Sequence, residues 1–166
     1  MKINIDFYTT YQDEENIKKY EQFLEKYEAK INLLIENALR LENINALNTV
    51  YIGIGVVPRD EIHDINKKYR NVDRETDVLS FPIYSREEVV SLKNKTIDED
   101  VSLGDLVLCM DVIKEHSIEY ETGFDREMLY MITHGTCHLL GFDHEVEEEK
   151  QEMRKREEEI LKNIEY

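Results

Sequence analysis

The stretch MLYMITHGTCHLLGF, residues 128–142, contains no Lys, Arg, Asp or Glu, in a chain where those four types make up 35% of residues. Gly123 precedes it, and Gly141 stands where a helix over residues 125–140 would reverse through a glycine. A helix that is apolar nearly all round has no face to give to water. It is therefore expected to be buried centrally, with the rest of the chain packed around it.

The remaining elements follow from periodicity. INIDFYTT (3–10) and TVYIGIGVV (49–57, ended by Pro58) read as strands, as do TDVLSFP (76–82) and LGDLVLCM (103–110). Residues 12–46 lack Gly and Pro and repeat apolar residues at helical spacing, as one long helix or two in tandem. RDEIHDINKKYR (59–70), DVIKEHSIEY (111–120) and residues 146–164 read as further helices, and the polar segment 83–102 as a loop. Strands and helices mix without a regular βαβ rhythm. The expected class is α+β, a small sheet of about four strands packed with helices, in one domain over residues 1–166.

The histidines are the chemical feature of the uncharged helix. His134 and His138 lie four residues apart, on one helical face. Gly141 would turn the chain so that His144 returns to the same point. Three imidazoles buried without partners would each cost roughly 1–3 kcal/mol, and one metal ion satisfies all three. Imidazole suits zinc among several first-row metals, and three protein ligands leave a position for water, as in catalytic sites. Cys137 is one residue round the helix and is expected to be a packed thiol. His63 and His116 lack partners at metal spacing.

H-x3-H-x5-H with a glycine turn matches the start of the metzincin protease signature, except that Gly135 stands where the protease carries its general-base Glu. Glycine cannot accept a proton, which argues against peptide hydrolysis. The net charge of −16 should repel nucleic acid at long range, so any such role needs a local basic patch. NKKYRNVDR, residues 66–74, is one, and Arg70 within it offers a planar guanidinium suited to phosphate; a helix-end surface charge is the other reading. Asp143 could orient an imidazole or cap the last helix. Thr76, Asp77 and Ser80 could line a cleft or serve only a turn and strand. No run approaches the roughly 18 apolar residues of a membrane span, no signal peptide is evident, and two cysteines suggest no disulfide framework. A cytoplasmic location is expected.

HGTCHLLGFDH (134–144), YRNVDRETDVLSFP (69–82) and LGDLVLC (103–109) together resemble the bacterial YbeY family of endoribonucleases, in order and spacing, over most of residues 50–164. The first forty-odd residues match only in outline. The resemblance implies an α+β fold with a small mixed sheet and one zinc ion per chain on His134, His138 and His144. It also implies a functional arginine at Arg70. The implied activity is cleavage of single-stranded RNA, in maturation of the 3′ end of 16S ribosomal RNA and in ribosome quality control. Ribosomal RNA, and the ribosome or its associated proteins, are the implied partners. Metal-activated water would attack the phosphodiester while Arg70 stabilises the phosphate. Two other readings stand beside it: a metalloprotease-like hydrolase, opposed by Gly135, and a non-catalytic ribosome-associated protein whose metal only staples the fold.

Overall fold

Alternation along the strands explains the two sides of the sheet. In a computed structural model, which describes residues 1–95 and 98–165, β1 (Lys2–Thr9), β2 (Thr49–Val56), β3 (Val78–Pro82) and β4 (Asp100–Leu108) form one mixed four-stranded sheet in the order β1-β2-β4-β3. β1 and β2 are parallel, β2 and β4 are parallel, and β3 runs antiparallel to β4. Val50, Ile52, Ile54 and Val56 of β2 join Leu106 and Leu108 of β4 in the main core. One residue out of phase, Val107 and Cys109 point to a second, smaller core with Leu79 of β3.

Helices cover these faces unequally. α1 (Glu14–Leu41) is a single helix, begun by Asp13, whose carboxylate accepts from the Asn16 N–H at 3.0 Å. Its stripe Tyr20, Phe23, Tyr27, Ile31, Leu34, Ile35, Ala38 and Leu39 is buried in the main core. It carries the chain from β1 to the parallel strand β2, a connection that parallel pairing requires. α2 (Arg59–Arg70) places Ile62 in the smaller core and ends at Asn71, which adopts the left-handed conformation. α4 (Met110–Glu119) follows β4.

The segment read as a loop over 83–102 carries structure. It holds α3 (Arg86–Ser91), a 3-10 turn at Leu92–Asn94 and the first residues of β4. Ser85 and Glu88 form a reciprocal capping box, and Val89 and Leu92 are buried in the main core. Two apolar anchors and a cap suffice here, although the segment's average composition is polar. Thr96 and Ile97, also in that expected loop, lie outside the described residues.

α5 (Phe124–Leu139) packs against α1, α4, β3, β4 and α6 (Glu147–Leu161). No residue from Glu127 to Phe142 is exposed, yet Tyr130, Met131, His134 and His138 are only half-buried. The uncharged helix is thus not enclosed on every side. Its open side is the one that carries the histidines.

Candidate metal centre

The end of α5 sets the geometry. The Phe142 N–H donates to Cys137 O at 3.1 Å and the Gly141 N–H to His138 O at 2.9 Å. This is the Schellman arrangement, and it needs a left-handed residue at position 141, where Gly141 has φ +86°. The reversal brings His144 back over the helix. Ring centroids then lie 4.8 Å apart for His134 and His138, 5.0 Å for His138 and His144, and 5.6 Å for His134 and His144. One ligand nitrogen from each lies within 4.8 Å of the others. His134, His138 and His144 are thus the residues that would hold one metal ion.

Two of the rings are held in a defined tautomer. His134 Nδ1 is 2.7 Å from Glu157 Oε1, and His138 Nδ1 is 2.9 Å from the Phe142 carbonyl. Both oxygens only accept, so each Nδ1 carries the proton and each Nε2 keeps its lone pair for a metal. Glu157 is buried in the middle of α6 and also accepts from the Tyr130 hydroxyl at 2.8 Å. Burial alone would raise its pKa, but the hydrogen bonds from His134 and Tyr130 outweigh it and hold the carboxyl below its usual range. His138 is pushed down, first by burial and then by the neighbouring His134 and His144, which favours the neutral ligand form. The donor set therefore fits a borderline divalent ion such as zinc: three imidazoles, a buried carboxylate behind one of them, and no thiolate. Cys137 is fully buried in the main core, and burial drives its thiol pKa upward, away from the ligating form.

The turn is braced from further away. Glu42, just past the end of α1, is buried between Arg86, at 2.8 Å, and Arg156 of α6, at 3.2 Å. Both guanidiniums lie over the Phe142 ring, at 4.2 and 5.5 Å from its centroid, and Arg86 also donates to Leu140 O at 3.1 Å. Phe142 is the residue whose carbonyl orients His138. Gly135 is equally constrained. A Cβ there would sit 2.7 Å from Leu106 Cδ2 and 3.3 Å from Ser80 Oγ, because α5 crosses β3 and β4 closely at this point. The position of the protease's general base is thus taken up by packing between helix and sheet.

A cleft of about 680 Å³ opens beside the histidines, and Arg70, Arg74 and Arg86 line it together with Thr76, Asp77 and Ser80. Arg70 is exposed at the end of α2, lies 5.0 Å over the Phe81 ring and donates to Ser80 O. The three histidines and Arg70, some sixty residues apart in sequence, thus share one cavity. Asp143 lines it too, but its carboxylate accepts from the His144 N–H at 2.8 Å, and Val146 stands at the N-cap of α6. The capping reading of Asp143 is therefore corrected: the chain between it and α6 includes His144 and Glu145, so it sits too early to reach the first free N–H groups. His63 and His116 pair with carboxylates instead, Asp73 at 2.6 Å and Asp77 at 3.3 Å. Glu157, Glu42, Arg86 and Arg156 were not singled out by sequence. Glu157 did leave a trace, since it lies on the buried stripe between Met153 and Ile160, where a carboxylate needs a partner.

Known proteins resemble the chain well beyond these residues. The family model described as Endoribonuclease YbeY matches residues 11–165, starting well N-terminal of the three segments that carry the resemblance. A protein of Clostridium botulinum (strain 657 / Type Ba4) named Endoribonuclease YbeY is 42% identical over 150 residues, covering 84% of this chain and 89% of that protein. One of the same name from Fusobacterium nucleatum is 34% identical over 168 residues, covering 100% and 98%. The solution structure of TM1509 from Thermotoga maritima superposes with a TM-score of 0.55 at 23% identity, over 96% of this chain and 90% of that one, and so supports the fold. Family match, identity over nearly full length and shared fold converge: this chain belongs to the YbeY endoribonuclease family.

Proposed function

We propose that the chain is a zinc-dependent endoribonuclease that cuts single-stranded RNA in the cytoplasm. Its proposed substrate is the 3′ end of 16S ribosomal RNA, as part of ribosome maturation and quality control. The observation that carries this reading is the convergence of three imidazoles, two with Nδ1 already committed, on a cleft lined by three arginines. Among the described residues no helix is long and apolar enough to cross a membrane.

His134, His138 and His144 would hold the ion. When bound, it supplies Lewis acidity, which lowers the pKa of water and polarises a phosphoryl oxygen. Glu157 holds the proton on His134 Nδ1, and the Phe142 carbonyl holds that on His138 Nδ1. Arg70 binds the scissile phosphate and stabilises the charge that grows on its oxygens. Its present bond to Ser80 O and its place over Phe81 keep the guanidinium at the cleft rather than free in solvent. Arg86 is anchored by Glu42 and braces the turn, with its outer edge in the cleft wall.

The test uses the wild type, His138→Ala and Arg70→Ala, with bound metal quantified and both single-stranded RNA and casein as substrates. Wild type is expected to cleave RNA and not casein. His138→Ala should lose metal and cleavage, and Arg70→Ala should keep metal and lose cleavage. Equal RNA cleavage by wild type and His138→Ala would overturn the proposal. Full metal content with neither substrate cut would point instead to a stapled binding protein.

A further inference from the structure

The metal centre has a second approach. A groove of about 240 Å³ between α5 and α6 is lined by Tyr130, Lys150, Arg154 and the two imidazoles of His134 and His144. Those two histidines line both cavities, so cleft and groove meet at the candidate metal position. Next to the groove is a further depression of about 330 Å³, whose lining includes Tyr130 and Arg154 again, with Arg126 and Lys162 added.

The charge of this path is unlike that of the molecule. The chain carries −16 overall, and α6 opens with Glu147, Glu148 and Glu149. Lys150 and Arg154 are four residues apart and so share one face of α6, and that face is turned to the histidines. The groove's carboxylate, Glu157, is buried and already engaged by His134 and Tyr130. Glu158 lines only the further depression. The solvent-facing charges that line this groove are therefore cationic, whereas Asp143 and Glu145 line the cleft side of the same histidines.

We infer that Lys150 and Arg154 form a second phosphate-binding track, so that a single RNA strand crosses the metal position from the Arg70 cleft into the α5–α6 groove. Cationic side chains that follow a backbone, next to an aromatic ring such as Tyr130, suit an unpaired strand. The inference rests on the proposed RNA-cleaving function and adds where the strand runs on the other side of the scissile bond. Lys150 and Arg154 are exposed, so their replacement leaves the core intact.

The experiment measures anisotropy of a labelled single-stranded RNA binding to the metal-loaded full chain over a series of KCl concentrations, with cleavage of the same RNA followed in parallel. For a single strand the slope of log K against log[salt] falls by about 0.7 for each phosphate that the protein no longer neutralises. Arg154→Gln should be shallower than wild type by about 0.7, and Lys150→Gln/Arg154→Gln by about 1.4. Lys155→Gln removes one charge from α6 at a position that lines neither groove nor depression, and its slope should match wild type. Equal slopes for wild type and the double variant would overturn the track, as would an equal loss in Lys155→Gln. Wild type that binds RNA without cutting it would overturn the proposed activity while the slopes still decide the track. Wild type that does not bind RNA would overturn both.

Discussion

Replacing Glu157 by Gln leaves the shape of the side chain and removes its charge. In the wild type, one carboxylate oxygen takes the His134 Nδ1–H at 2.7 Å and the other takes the Tyr130 hydroxyl at 2.8 Å. An amide oxygen can still accept from His134, while its NH2 turns Tyr130 into an acceptor. What is lost is the anionic push that makes His134 a better donor to a metal. Outer carboxylates of this kind are worth about 10–100-fold in metal affinity, or roughly 1.4–2.7 kcal/mol. Glu157→Ala goes further. It leaves two half-buried donors without their acceptor, each at the lower end of roughly 1–3 kcal/mol, and a cavity, for a total of about 3 kcal/mol. At about 2–4 °C per kcal/mol in a domain of this size, its melting temperature should fall by about 6–12 °C. The assay is competition with a chromophoric zinc chelator at about pH 7.5, with thermal unfolding run with and without EDTA. The expected order of affinity is wild type, then Tyr130→Phe, then Glu157→Gln. If Glu157→Gln binds zinc within twofold of wild type, the carboxylate does not tune the ligand, and the reasoning fails.

Three other perturbations follow from the same geometry. Gly141→Ala would force a Cβ into the left-handed region and to within 2.6 Å of the Arg86 Cα; the strain alone costs about 1–2 kcal/mol, and both stability and metal content should drop. Glu42→Ala takes one carboxylate from two guanidiniums whose side chains are 36% and 21% exposed, while Arg156 keeps Glu159 at 3.6 Å. Access to water softens the usual loss for a broken buried pair, so about 2–3 kcal/mol is expected in urea unfolding, with weaker metal retention. The His138 pKa lies below 6.5 in the folded chain, lowered chiefly by burial. Between those two values the unfolded chain binds more protons than the folded one, so stability rises with pH there. In chelator-treated protein this contribution is complete above about pH 6.5 and fades as pH falls through the folded pKa. Melting temperatures from about pH 7.5 to about pH 5 should show a drop that His138→Gln lessens; identical profiles would contradict the assignment.

Several readings of the sequence were narrowed or changed on folding, each for a local reason. The long run without Gly or Pro is one helix, because its buried stripe stays continuous from Tyr20 to Leu39. The polar segment after Pro82 forms α3, because a capping box and two apolar residues outweigh its average composition. The acidic last helix turns Lys150 and Arg154 toward the histidines, which a net charge cannot convey.

The histidine centre was legible without any knowledge of the fold. His134, His138, Gly141 and His144 lie within eleven residues, and a helical period plus one left-handed glycine is enough to bring them together. Arg70 was legible only through chemistry and resemblance; the shared cavity is a property of the sheet that joins α2 to α5. Tertiary structure alone decided what holds the ligands. Glu157 is 23 residues from His134, and Arg86 is 54 from Leu140. No local period couples such pairs; only the packing of α6, α3 and the end of α1 around α5 does. The same packing decided Gly135. In the sequence it is a missing base, and in the fold it is a close helix–sheet contact, where any added side chain would have to displace the Leu106 side chain.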